Sequence, residues 1–356
     1  MTRKRTQKIY LGAVAVGGGS PISVQSMTNT DTRDVRRTLR QIRRLEKAGC
    51  DIVRVAVPDV AAVAVLPEIV AGTNIPVVAD IHFDYRLALK SIDAGVSCIR
   101  INPGNIGNRH RLEKVVSRAA AAGIAIRVGI NAGSLEKGIL KKHGHPSAAA
   151  LVESALKNVR AIEEMGFKDL KVSIKSSNVM TSVDAYRGIA KMIHYPLHVG
   201  ITEAGTDFSG TVKSAVGLGI LLNEGIGDTL RVSLSADPVR EVHAGFEILR
   251  SLNLRRKGPE LISCPTCGRK QVDVIGISKI VERKITRFKS DFKVAVMGCE
   301  VNGPGEAKEA DIGLAGSRKY GVIFKKGKII KKVPQDRMLS DFLDEIEKIE
   351  METAKS

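Results

Sequence analysis

Cys98-Ile99-Arg100-Ile101 and Ile124-Ala125-Ile126-Arg127-Val128-Gly129-Ile130 decide how the larger part of this chain folds. Both are short, rich in Ile and Val, and bounded by polar residues, which predicts strands. The segment between them has helical period and length, so the pair reads as a strand–helix–strand unit with parallel strands. Each run also carries an arginine among apolar neighbours. Working outward, the same rhythm recurs at Ile22–Met27, Asp51–Val57, Pro76–Ile81, Leu170–Ile174, Leu197–Ile201 and Thr229–Leu234. Eight such units in about 230 residues match a TIM (β/α)8 barrel, typically ~250 residues long. A doubly wound open sheet is the alternative, but it rarely needs eight consecutive units. Helix starts support the register: Asp237-Pro238 is an N-cap followed by proline at the first helical position, and Asp59 after Pro58 is a second cap. Ahead of the first unit, two apolar runs around Gly17-Gly18-Gly19 predict a small hairpin.

The rhythm breaks at Asn253–Pro259. The expected organisation is a barrel over 1–254, a linker over 255–259 and a second domain over 260–356. That domain reads as a small α+β unit of about 95 residues, within the ordinary domain range. Its expected parts are an apolar run into Cys264, a helix near Val274–Phe288 and strands at Phe292–Met297, Asp311–Ala315 and Tyr320–Phe324. A closing helix then places Leu339, Phe342, Leu343, Ile346 and Ile349 on one face.

Lys and Arg number 56 against 38 Asp and Glu, a net charge of +18, which favours phosphorylated or otherwise acidic partners. Part of this charge is a solvated helix face: Arg36, Arg37, Arg40, Arg43 and Arg44 alternate with Val35, Leu39, Ile42 and Leu45 at helical spacing. Trp is absent and aromatics are 4%, so the core is aliphatic. A nucleic-acid-binding reading is weakened by that scarcity of stacking residues. No apolar stretch approaches a membrane span and no signal segment is evident, which predicts a cytoplasmic protein.

In a TIM barrel the chemistry sits at the C-terminal ends of the strands. Arg54, Arg100, Arg127, Lys175 and Arg231 fall there on five different strands, with Ser233 beside the last. Buried guanidinium groups are costly unless an anion meets them. Either each pairs with a nearby carboxylate such as Asp80 or Glu203, or together they hold a phosphate or diphosphate, whose oxygens match the guanidinium fork. Asn131 ends the fifth strand. Glu203 follows the seventh and is placed to act as acid, base or orienting group. His82 after Asp80 is either a second such group or a structural hydrogen bonder.

The five cysteines are odd in number, which disfavours a disulfide framework. Cys50 and Cys98 open strands and read as buried core thiols. Cys264-Pro265-Thr266-Cys267 and Cys299 form a three-thiol set in a basic, glycine-rich setting suited to a soft metal. A zinc site would lack its fourth ligand, since no histidine follows His243. A redox Cys-x-x-Cys pair would not require Cys299. A [4Fe–4S] cluster normally takes four cysteines, so three would leave one iron to an oxygen ligand such as Glu306.

Taken in order, Gln25–Thr30, Arg100–Asn105, Thr202–Gly205, Ser263–Arg269 and Asn302–Glu306 resemble the bacterial 4-hydroxy-3-methylbut-2-enyl diphosphate synthases across nearly the whole chain. The resemblance implies a sulfite/nitrite reductase-like second domain. Cys264, Cys267, Cys299 and Glu306 would hold a [4Fe–4S] cluster there. It implies reductive opening of 2-C-methyl-D-erythritol 2,4-cyclodiphosphate, with Arg54, Arg100, Arg127, Lys175, Arg231 and Ser233 around the diphosphate. Asn131 and Glu203 would sit at the reacting carbons, Glu203 as proton donor. It further implies reduced flavodoxin or ferredoxin as electron donor. The assembly would be a head-to-tail homodimer in which one chain's cluster domain closes the other's barrel.

Overall fold

The computed structural model describes residues 2–299 and 307–354. The chain divides into two compact units, with the boundary between Arg255 and Arg256.

In the first unit, parallel strands β3 (Ser23–Met27), β4 (Ile52–Ala56), β5 (Val77–Asp80), β6 (Cys98–Ile101), β7 (Ala125–Asn131), β8 (Leu170–Lys175), β9 (His198–Val199) and β10 (Thr229–Leu230) form one sheet. Its order is β8-β7-β6-β5-β4-β3-β10-β9, and a parallel bridge between Val172 and Leu197 joins the two ends into a barrel. All eight predicted strands are present, the last two much shorter than their apolar runs. Helices cover the outside, and their starts are set by local chemistry. Asp59 accepts from Ala62 N (2.9 Å), and Asp237 accepts from Val239 N (3.0 Å) ahead of Pro238. On the helix Val35–Ala48, Ile42 and Leu45 are buried while Arg36, Arg37, Arg40, Arg43 and Arg44 face solvent.

The N-terminal hairpin exists, but it turns elsewhere than predicted. β1 (Ile9–Leu11) pairs with β2 (Val14–Val16) through Gly12 and Ala13, with Gly12 at φ 53°, and the glycine triplet follows the hairpin. Ile9, Leu11 and Val16 pack on Ile52, Val78, Cys98 and Ala125, near the N-terminal ends of β4–β7. The hairpin therefore plugs the floor of the barrel. Burial of each large aliphatic side chain there contributes roughly 1.5–3 kcal/mol. Asp228 fastens the same end, accepting from Thr6 Oγ1 (3.0 Å), Arg3 (3.1 Å) and Leu197 N (2.9 Å). Arg255 is no free linker residue. It pairs with Asp51 (2.6 and 2.9 Å) and lies over the Phe246 ring.

The second unit is a five-stranded sheet in sequence order: β11 (Glu260–Ser263), β12 (Lys293–Met297), β13 (Ile312–Gly316), β14 (Tyr320–Lys325) and β15 (Lys328–Pro334). β11–β13 run parallel, and β14 and β15 return antiparallel. The helices Val274–Ile285 and Met338–Thr353 bury Val281, Ile285, Phe342 and Ile346 with Val294, Val296, Leu314 and Ile323. β15 was not predicted. Its residues are almost all exposed and lysine-rich, so alternation was masked, and it forms a lysine-blunted sheet edge. The turn before it uses Lys326 and Gly327, both at positive φ, as a tight hairpin turn requires.

Candidate active site

Side chains alternate along a strand, so every second residue of the barrel faces inward. Parallel register then aligns Asp80 with Arg100, Arg100 with Arg127, and Arg127 with Lys171 on four successive strands. One layer of the interior is therefore charged rather than aliphatic. Arg54, Asp80, Arg100, Arg127, Lys171, Lys175 and His198 are all buried. Glycines make the room. A Cβ at Gly200 would stand 2.7 Å from Lys175 Nζ, and one at Gly129 would overlap Arg100 Nε.

The predicted cations divide into two kinds. Asp80 lies 3.1 Å from Arg100 and 3.6 Å from Arg54, with His82 Nε2 at 3.5 Å. Burial alone would raise its carboxyl, but Arg54, His82 and Arg100 together hold it below the ordinary carboxylate range. Arg231 donates to both oxygens of Glu241 at 3.1 Å, and Glu241 also accepts from Ser26 Oγ (2.8 Å) and Leu234 N (3.1 Å). Met27 Sδ lies against Arg54 Nε (3.1 Å) and Arg231 Nη1 (3.7 Å). Arg127 and Lys175 have no carboxylate partner among the described residues. Arg127 donates only to Ser173 Oγ (3.0 and 2.9 Å), and its Nη1 is unpartnered. Burial first, then repulsion from neighbouring arginines, pushes both groups well below their usual pKa. Carboxylate pairing thus accounts for Arg54, Arg100 and Arg231, and not for Arg127 or Lys175.

At the mouth, Asn131 closes β7. Oriented to satisfy both ends of its amide, it accepts from Arg100 Nη2 at 3.3 Å and donates to Ile130 O at 3.1 Å. Glu203 is exposed at φ 52°, a left-handed conformation uncommon for a non-glycine residue and found preferentially where function constrains the backbone. Its carboxylate has no hydrogen-bond partner among the described residues. Ser233 is half-buried, and His82 is exposed beside Phe83. A cavity of about 850 Å3 lies instead on the outer helical layer, lined by Val152, Leu156, Gly188 and Met192, and none of these mouth residues borders it.

In the second unit, β11 ends into Cys264-Pro265-Thr266-Cys267 and β12 into Gly298-Cys299, and these strands are parallel neighbours with Ser263 opposite Val296. Both loops therefore leave the same end of the sheet. They are laced together: Gly298 N donates to Cys264 Sγ (3.1 Å), Gln271 N to Gly298 O (2.8 Å) and Cys264 N to Val296 O (3.1 Å). Arg269 draws the Cys267 thiol down through hydrogen bonds from its backbone and side chain. Among the described residues, no three His, Cys, Asp or Glu side chains are gathered tightly enough to grip a metal ion. Glu306 lies outside the described residues. Thiols on adjoining loops, an amide aimed at sulfur and a thiolate-favouring arginine nevertheless fit a thiolate-bound iron–sulfur group. Cys50 and Cys98 are buried, and burial raises the Cys50 thiol to about 12.

The sequence matches two family models, the GcpE TIM-barrel domain over residues 6–246 and the GcpE protein C-terminal domain over residues 260–348. The chain belongs to the GcpE family. Curated GcpE-like relatives include the 4-hydroxy-3-methylbut-2-en-1-yl diphosphate synthase (flavodoxin) of Desulfotalea psychrophila, 55% identical over 100% of this chain and 98% of that protein. The enzyme of the same name from Geobacter sulfurreducens is 57% identical over 98% of each chain. Among solved structures, 3-dehydroquinate dehydratase from Geobacillus kaustophilus superposes with a TM-score of 0.52 at 13% identity, covering 70% of this chain and 99% of that one. That likeness concerns the barrel fold alone.

Sequence reading missed several polar groups of this GcpE barrel. Lys171 and His198 are fully buried among the barrel's charged groups, and neither Lys171 Nζ nor either His198 ring nitrogen has a hydrogen-bond partner among the described residues. Burial lowers Lys171 to about 8, aided by Arg127 and Arg54 and opposed by Cys98 and Asp228. Glu241, on the helix that Asp237-Pro238 begins, was not singled out as a partner for Arg231. The available signal for Lys171 was its two-residue offset from Ser173 and four-residue offset from Lys175, which puts it on the same inward face.

Proposed function

We propose that this chain reductively opens 2-C-methyl-D-erythritol 2,4-cyclodiphosphate to 4-hydroxy-3-methylbut-2-enyl diphosphate, with two electrons entering and one water leaving. The observation that carries the reading is the cationic barrel interior, in which Arg127 and Lys175 are buried with no carboxylate partner among the described residues. Buried unpaired charge is expensive, and a diphosphate offsets it on binding. Arg54, Arg100, Arg127, Lys175, Arg231 and Ser233 hold the diphosphate. The curated relatives carry the name of this activity.

Cys264, Cys267 and Cys299, with Glu306 as fourth ligand, would hold a [4Fe–4S] cluster, which would supply electrons and a Lewis-acidic iron. The chain's own residues do the rest. Asn131, bonded to Arg100, orients the ring over the phosphate layer. Glu203 presents a carboxyl from a constrained backbone and gives a proton to the departing hydroxyl; such groups contribute about 10²–10⁴ in rate. His82, held against Asp80, is a second proton-bearing group at the mouth. The relatives' name specifies flavodoxin, and this reading takes flavodoxin or ferredoxin as the donor. The enzyme acts in the cytoplasm as a head-to-tail homodimer, one chain's cluster unit covering its partner's barrel and keeping water from the reacting centre. No helix among the described residues is long and apolar enough to cross a membrane.

Anaerobic purification tests the reading. It should give a brown protein with about four irons per chain, the [4Fe–4S] stoichiometry, that consumes the cyclodiphosphate when reduced. Cys299→Ser should lose the iron. A colourless wild-type protein holding one zinc ends the proposal.

A further inference from the structure

We infer that the basic rim beside the cysteine loops, formed by Arg269, Lys270, Arg318 and Lys319, is the docking surface for an acidic one-electron carrier. This deepens the function proposed above, since it assigns the electron donor a place on the chain.

Two loops build the rim. Arg269 and Lys270 follow Cys267 directly. Arg318 and Lys319 form the turn between β13 and β14, and that turn is pinned to the cysteine loop because Arg318 N donates to Gln271 Oε1 (3.2 Å). Close packing adds to this, since a Cβ at Gly316 would stand 2.5 Å from Val272. The four cations are thereby kept on the end of the sheet from which the thiols emerge.

All four side chains are exposed, and none has an ion-pair partner among the described residues. Several other lysines of the same unit are paired. Lys325 pairs with Glu352, Lys331 with Asp341 and Lys348 with Glu345, each within 2.8 Å, and Lys284 pairs with Glu347. The long helix Met338–Thr353 supplies those acids. Beside the rim, Ile275 is 51% exposed on the first turn of Val274–Ile285. Exposed cations without a carboxylate partner select a negative partner and steer its approach.

The electron count suits such a carrier. Each docking event oxidises one carrier by one electron, and two events supply the pair consumed per ring opened. A carrier seated here stands beside Cys267 and the Gly298–Cys299 loop.

The experiment uses the iron-loaded full-length enzyme and the double variant Arg318→Glu/Lys319→Glu. Turnover is measured with reduced flavodoxin across ionic strength, and separately with reduced methyl viologen, a small donor that needs no protein docking. The variant's KM for flavodoxin should rise at least about tenfold at low salt, the lower end of electrostatic steering, and lose its salt dependence. Its viologen-driven turnover and its KM for the cyclodiphosphate should stay unchanged, and Lys328→Glu at the far edge of the sheet should behave as wild type. An unchanged KM for flavodoxin overturns the assignment. So does an equal loss with viologen, which would give the rim to closure over a second copy's barrel. Titration of oxidised flavodoxin into iron-free protein separates the two levels. Salt-sensitive binding there, lost in the double variant, supports the docking site even if no cluster is ever found.

Discussion

Replacing Lys171 by Met should make this protein more stable. The Lys171 amine is fully buried on β8, its Nζ has no partner, and burial lowers it from 10.5 to about 8. The facing groups are Cys98 on β6, Arg127 on β7, Arg54 on β4, His198 on β9 and Asp228 ahead of β10. A displacement of about 2.5 pKa units corresponds to ~3 kcal/mol between protonation states. The sign follows from linkage. Below pH 8 the amine is protonated in both states, and the fold bears the whole penalty. Between about pH 8 and 10.5 the unfolded chain binds the proton and the native protein does not, so stability rises with pH. Above that range the amine is neutral in both states and the penalty is gone. Methionine removes the charge and keeps an unbranched apolar stem. At pH 7 the variant should gain up to ~3 kcal/mol, or roughly 6–12 °C in Tm for a unit of this size. Thermal unfolding of both proteins at pH 7 and pH 10 is the assay, and the gain should shrink at the higher pH. A variant less stable at pH 7, or a gain independent of pH, refutes the account of a desolvated amine.

Asp80→Asn should act in the opposite direction. It leaves Arg54 and Arg100 buried without their carboxylate, a change that costs about 3–5 kcal/mol when a buried pair is broken, measurable by urea unfolding at pH 7. Because Asp80 is held below the ordinary carboxylate range, its contribution is present above about pH 4 and is lost as pH falls through its lowered pKa, so the deficit of the variant should narrow in acid. Glu203→Gln should keep the fold and the affinity for the cyclodiphosphate while turnover falls by about 10² or more, as single-turnover kinetics beside calorimetry would reveal; full activity would remove Glu203 from the reaction. Glu241→Gln should raise the KM for the cyclodiphosphate more than it lowers kcat, because it loosens the bidentate hold on Arg231 without touching the mouth, and steady-state kinetics separate the two.

Much of this is legible in the sequence. The eight strands show themselves because each is an Ile- and Val-rich run flanked by capped helices, and hydrophobic period is a local property of the chain. The caps at Asp59 and Asp237 are equally local. The cations at the strand ends could be named for the same reason: a charged residue inside an apolar run is visible without knowing what it touches. The Cys-x-x-Cys loop and the lone downstream cysteine are visible in the same way. Where local pattern was ambiguous the reading slipped. The glycine triplet drew the hairpin turn away from Gly12 and Ala13, and lysines concealed β15.

Pairing across the closed barrel belongs to tertiary structure alone. Whether Arg231 meets a carboxylate depends on how the helix Pro238–Ser251 packs back on the barrel, which turns Glu241 inward with Val242, Gly245 and Phe246. Arg127 and Lys175 stay unpaired because closure and stagger bring no acid opposite them, a fact of three-dimensional register. Closure also buries Lys171 and His198, since inward residues near the strand starts lose water only once the sheet has curled and the hairpin has plugged its floor. Sequence supplied the charges. The closing of the sheet decided which are neutralised within the fold and which are left for a ligand, because desolvation and pairing depend on distance through space and not along the chain.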